Sequence, residues 1–223
     1  MPQIVLIRVL STNDPRLLNA HVQVVREAFG LDVVSYAVPD QPEGVHDADS
    51  FRSAASKVSA LVLSLGGDVD GILISCSSDP GAGEARALVN IPVVGAGSAG
   101  AGTALALGSR VGVLALHSGT PAAVNRVLGD ALRTVESPEG VHKTTELLTP
   151  SGVHETYRAA ERLIDAGADV ILQACTGLTS MGVAEQLRRR FRVPVIDAVL
   201  AAAAVLAVEV RAIDNARLLQ SAR

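Results

Sequence analysis

The feature that most constrains this chain is that its second half restates its first. Leu10, Pro15 and Asn19 find counterparts in Leu116, Pro121 and Asn125, and Pro42-Glu-Gly-Val-His46 recurs letter for letter as Pro138-Glu-Gly-Val-His142. Further along, Ser75-Cys76 answers to Ala174-Cys175, and Ile91-Pro-Val-Val94 to Val193-Pro-Val-Ile196. Ordered matches with only small drifts in spacing mark a duplicated unit. Two copies are too few for a solenoid, so the expectation is two similar lobes.

Within each copy, short apolar runs rich in Val and Ile alternate with helical patterns, as in a parallel α/β sheet. Residues 4–10 read as a buried strand, and Ser11-Thr-Asn-Asp-Pro15 as a helix start. Leu17, Leu18, His21, Val22, Val25 and Phe29 then share one helical face, which Gly30 closes. His21 lies on that apolar stripe and reads as a core histidine. Residues 31–38 give a second strand, 50–65 a helix, 91–94 a short strand and 95–107 a small-residue helix; the pattern restarts with a strand at 111–116. The expected fold is two pseudo-symmetric Rossmann-like lobes, each a small parallel sheet flanked by helices. Residues 1–97 with 200–223 form the first lobe and 98–199 the second. An active site is expected in the cleft between them.

Composition narrows the function classes. Aromatic residues make up 2% of the chain and hydrophobic residues 48%, so alanine, valine and leucine must fill the core. The net charge of -4 comes without a basic stripe, which argues against nucleic acid as a partner. The apolar run 198–208 is too short for a bilayer. The sequence starts directly on a strand pattern with no signal peptide, so a cytoplasmic protein with no membrane partner is expected.

The chain has two cysteines, each at the end of a predicted strand, where open α/β sheets place ligands. In each case a glycine- and hydroxyl-bearing loop leads into a helix, whose amino end would favour a thiolate. Lobes facing one another would set Cys76 opposite Cys175. One thiolate could then take a proton from a carbon beside a carbonyl while the other thiol delivers one from the opposite side. Donors around the loops would hold the enolate oxygen. That is racemase or epimerase chemistry.

Three segments carry a family likeness: Cys76-Ser-Ser-Asp-Pro-Gly81 with Glu84 and Arg86, Gly167-Ala-Asp-Val-Ile-Leu-Gln-Ala-Cys175-Thr-Gly177, and Val193-Pro-Val-Ile-Asp197. On these the chain resembles the aspartate/glutamate/hydantoin racemase superfamily, and within it the hydantoin racemase branch. The resemblance implies cofactor-free two-base catalysis by Cys76 and Cys175 on a small molecule, with no metal, in a homo-oligomer. It also implies substrate contacts from Asn13, Ser77, Thr120, Thr176 and Gly177. The first loop, Ser11-Thr-Asn-Asp-Pro15, departs from the Asn-Pro-Asn-Thr-like loop of hydantoin racemases. Neither thiol has an acid or imidazole beside it, which suits an already acidic carbon, as in a hydantoin or another amino-acid derivative. The alternatives are an isomerase or decarboxylase of the same superfamily, or a non-catalytic small-molecule binding protein on the same scaffold.

Other motifs weigh less. Gly95-Ala-Gly-Ser-Ala-Gly100 has the dinucleotide-binding pattern but follows a late strand, so close helix packing is the expected reading. The five histidines lack metal-ligand spacing, and the cysteines are far apart for a zinc knuckle. Arg86 reads equally as a surface partner of nearby acids or as a functional cation. His46 and His142, inside the repeated pentapeptide, are expected to cap loops.

Overall fold

A computed structural model describes residues 2–67, 69–117 and 119–221. The chain separates into two compact units: Met1–Ser75, Pro80–Gly95 and Ala202–Arg223 form the first, and Cys76–Asp79 with Ala96–Ala201 the second. Each holds its own four-stranded parallel sheet. Cys76–Asp79, placed by the sequence reading with the first lobe, groups with the second unit.

In the first unit the strands are β1 (Gln3–Arg8), β2 (Asp32–Ala37), β3 (Gly71–Ser75) and β4 (Val93–Gly95), in spatial order β2-β1-β3-β4. The helices between them are α1 (Pro15–Phe29), α2 (Ala48–Ser64) and α3 (Ala82–Leu88). The start of α1 follows from its sequence: the Asp14 side chain accepts from the Arg16 N–H, Pro15 takes the first turn, and Gly30 ends the helix at φ +62°. At the start of α2, Asp47 and Ser50 form a reciprocal capping box. The whole of β3 is buried, so its side chains are apolar on both faces until Ser75. His21 is fully buried, with Nδ1 2.8 Å from the Ser75 Oγ, a satisfied core histidine.

The second unit repeats the plan with β5 (Val111–Leu114), β6 (Leu132–Glu136), β7 (Val170–Gln173) and β8 (Val195–Asp197), ordered β6-β5-β7-β8. Its helices are α4 (Ala96–Leu105), α5 (Ala122–Leu128), α6 (Pro150–Asp165), α7 (Gly177–Met181) and α8 (Val183–Phe191). The last helix, α9 (Ala198–Ser221), begins in the second unit and continues in the first. Leu114, Ile171 and Val195 from the sheet pack with Ala159, Ala160 and Leu163 of α6 and Leu187 of α8. No helix among the described residues is long and apolar enough to cross a membrane.

The duplication extends to individual hydrogen bonds. Gly44 and Gly140, inside the repeated pentapeptides, both sit at φ +69°. The next histidine in each copy donates its backbone N–H four residues ahead, His46 to the Ser50 Oγ and His142 to the Glu146 carboxylate. Arg86 and Arg188 each turn a guanidinium onto the carbonyl of the following strand, Val93 and Val195. Arg86 is therefore a fastening between α3 and β4.

Candidate active site

Cys76 and Cys175 each follow the third strand of a sheet, β3 and β7. The chain turns in the same way after both: the Asp79 N–H donates to the Cys76 carbonyl and the Leu178 N–H to the Cys175 carbonyl. Neither cysteine is in a disulfide, both are half-buried, and both belong to the second unit. They lie close enough for charge on one to disfavour charge on the other.

The sequence leads one to expect helix amino ends that favour thiolates, and for Cys76 the structure reverses that. Its thiol is pushed up to about 12, first by loss of water around the sulfur, then by the nearby Asp79 charge and Cys175. The Ser78 N–H and hydroxyl pull the other way and are outweighed. The reason is visible at α4. Its first amides do not face a sulfur; the Gly97 N–H donates to Asp79 Oδ1 at 2.7 Å and the Ser98 N–H to Oδ2 at 2.8 Å. A carboxylate occupies the positive end of that helix and sets its own negative charge beside Cys76.

Space at α4 is equally committed. A Cβ on Gly97 would stand 2.0 Å from the Ser77 carbonyl oxygen, and one on Gly100 would meet the Leu172 side chain at 2.9 Å. The glycines of the dinucleotide-like pattern thus serve close packing against the Cys76 loop and β7. On the other side, a Cβ on Gly177 would lie 2.3 Å from the Thr144 side chain and 3.5 Å from the Cys175 Sγ, so α7 starts pressed against Thr144 and at ordinary contact distance from the thiol.

A second buried carboxyl ties down the Cys175 loop. Asp197, at the end of β8, receives the Thr179 hydroxyl and the Val199 and Leu200 N–H groups, all on Oδ1. Burial raises its pKa despite these bonds. Neither Asp79 nor Asp197 has a role in the sequence reading. The Asp-Pro-Gly turn signal after Cys76 is the available clue to the first, and nothing local marks the second.

Among the expected substrate contacts, Ser77, Thr120, Thr176 and Gly177 lie in the second unit and Asn13 in the first. Ser77 is buried and its hydroxyl has no hydrogen-bond partner. Gly177 is buried as well, Thr176 and Thr120 are half-buried, and Asn13 is exposed between β1 and α1. Ser118, in the loop with Thr120, lies outside the described residues. One polar group unremarked in the sequence stands out: the Gln173 carboxamide, two residues before Cys175, is buried with neither its nitrogen nor its oxygen bonded. Buried groups of this kind are scarce in folded proteins. Among the described residues no group of three or more His, Cys, Asp and Glu could hold a metal ion.

Fold and site together define a class, an α/β protein with two like parallel sheets, each of whose third strands runs into a loop that carries one thiol. The chain belongs to the Asp/Glu/hydantoin racemase family, whose model matches residues 16–206. It is 26% identical over 175 residues to a hydantoin racemase of Rhizobium meliloti, across 73% of this chain and 70% of that protein. The fold is similar to that of allantoin racemase from Klebsiella pneumoniae, with a TM-score of 0.77 at 22% identity over 92% of this chain and 86% of the other. It is also similar to a liganded variant of arylmalonate decarboxylase, with a TM-score of 0.68 at 17% identity over 93% of each chain.

Proposed function

We propose that this protein inverts a carbon next to a carbonyl by two-base chemistry at Cys76 and Cys175, without a cofactor or metal. The observation that carries the reading is the placement of both cysteines, neither in a disulfide, in one unit and within electrostatic reach of each other. A pair of interacting thiols holds one proton more readily than it loses both. Burial favours the protonated form of Cys76, so the direction described here uses Cys76 as the acid and Cys175 as the base. The Cys175 thiolate takes the proton from the substrate carbon and becomes a thiol, and the electron pair moves onto the carbonyl oxygen. Cys76 then gives its proton to the other face of that carbon and becomes the thiolate. The protein left in that state is set for the opposite enantiomer, so the two cysteines exchange roles for the reverse reaction. In this reading the unpartnered Ser77 hydroxyl donates to the developing enolate oxygen, with Thr176 and the Gly177 N–H as further donors and Asn13 and Thr120 as substrate contacts.

The substrate class is a hydantoin-like ring or a related amino-acid derivative, and the working form is a homo-oligomer in the cytoplasm. Support for a ring substrate comes from the hydantoin and allantoin racemases among the similar proteins and from the lack of a charged clamp in either cysteine loop. The test is loss of optical rotation with 5-substituted hydantoins, allantoin and free amino acids, run in deuterium oxide. The intact protein should racemise one class with solvent deuterium entering the carbon. Cys76→Ser and Cys175→Ser should each abolish inversion while exchange persists from a single face. Full inversion by either variant would refute the two-base reading. Carbon dioxide release from an arylmalonate, dependent on one cysteine alone, would assign a decarboxylase instead.

A further inference from the structure

We infer that Asp79 is the positioning residue that holds the Cys76 thiol at its working distance from Cys175. The inference rests on the two-thiol reading above and concerns a side chain that never touches substrate.

Inside the second unit, hydrogen bonds and then close packing lead from the Cys76 loop to β7, the strand that precedes Cys175. Asp79 closes the turn after Cys76 through its own N–H, and its two carboxylate oxygens are taken up separately by the Gly97 and Ser98 amides. Those amides open α4, and Gly100 in the same helix packs against Leu172 of β7, the strand that carries Cys175. Asp79 thus fastens one thiol loop to the helix that lies against the other thiol's strand. The backbone at Asp79 is held at φ +52°, a left-handed conformation that is strained for a non-glycine residue. Its side chain is buried, with 8% of the residue exposed, and the two charge-assisted bonds outweigh the strain. The second copy shows that this is a local device. The position matching Asp79 in the repeated turn is Leu178, which packs into the apolar core. There the carboxyl comes from Asp197, to which the Thr179 hydroxyl donates. Of the two copies, the Cys76 turn is the one that carries a carboxylate of its own.

Two variants separate the positioning role from general stability. Asp79→Asn keeps the size and tolerates the left-handed backbone, but turns one acceptor into a donor facing an N–H. Asp79→Gly removes the strain and both acceptors. The readout independent of turnover uses a bis-alkylating bimane: of the protein that has reacted at one thiol, the fraction that goes on to bridge Cys76 to Cys175 is measured by mass spectrometry. This ratio does not depend on how reactive the first thiol is. Dividing it by the rate at which a monofunctional bimane labels the remaining thiol removes the effect of the Asp79 charge on Cys76. A displacement of about 1 Å can cost ~100-fold in a geometry-limited step, so the bridged fraction should fall at least ~10-fold in Asp79→Gly and less in Asp79→Asn. On whichever substrate the racemisation screen identifies, kcat should fall with it while KM stays within about threefold, since bound substrate keeps its contacts and only the proton-transfer distance changes. A bridged fraction equal to that of the unaltered protein, in either variant, would overturn the inference. Should Asp79→Gly fail to fold, Asp79→Asn decides alone. If the unaltered protein bridges but racemises nothing, the racemase reading falls and the positioning result stands on its own.

Discussion

Gly97→Ala tests the packing around Cys76 most directly. The added methyl would stand 2.0 Å from the Ser77 carbonyl oxygen, 2.7 Å from its carbon and 3.1 Å from Asp79 Oδ1. Ordinary contact between a methyl carbon and an oxygen is more than an ångström longer than the first of these distances. The obstacle is backbone, so a rotamer change cannot relieve it, and the loop must move away from α4. The move breaks the Gly97 and Ser98 bonds to the carboxylate, each worth roughly 1.5–3 kcal/mol for a charged acceptor. Forcing an extra methyl into a filled site adds about 1–3 kcal/mol, and partial relaxation returns some of both. The expected net loss is about 3–5 kcal/mol. Gly102, on the same helix, is exposed, and a Cβ added there would meet nothing within 4 Å, so Gly102→Ala should stabilise by about 0.5–1 kcal/mol through helix propensity. Urea unfolding followed by far-ultraviolet circular dichroism, with the slope m compared among the three proteins, measures both. A Gly97→Ala loss below about 1 kcal/mol would refute the claim that Ser77 and α4 are in rigid contact.

Because Cys76 is pushed up to about 12 from an ordinary 9.0, its thiolate fraction at pH ~8 is tiny, and iodoacetamide should label it ~1000-fold more slowly than in the urea-unfolded chain. The folded state holds this proton more tightly than the unfolded chain, so the contribution to stability is full below pH 9.0 and lost as pH rises towards 12; Cys76→Ala should flatten that decline in alkaline melting curves. Asp197 takes the Thr179, Val199 and Leu200 bonds on one oxygen, so Asp197→Asn should cost less than about 1 kcal/mol whereas Asp197→Ala, losing a helix cap and the Thr179 bond, should cost about 2–4 kcal/mol by thermal unfolding. Its raised pKa makes folding less favourable as pH climbs through that value, and Asp197→Asn should lose this dependence.

Much of the fold was legible in the sequence because its signals are local. Strand runs of Val and Ile, the Asp14-Pro15 helix start, and the repeated Pro-Glu-Gly-Val-His turn each depend on residues a few positions apart. The position of each cysteine at a strand end was readable for the same reason. By contrast β6 left no such signal: Leu-Arg-Thr-Val-Glu is a half-exposed edge strand, and it forms because β5 offers it partners. One helical pattern likewise hides two elements, since Gly182 at φ +64° divides α7 from α8.

The state of the site was decided only by the tertiary structure. Whether a helix amino end meets a thiol or a carboxylate depends on which group arrives there, and Asp79 reaches α4 from 18 residues away in sequence. Water lost around the Cys76 sulfur, and the negative charge set beside it, come from chain segments that no local pattern relates. Sequence alone determined where the thiols enter the fold, because strand ends are set by neighbours along the chain. Packing determined which proton stays bound, because desolvation and charge act through space.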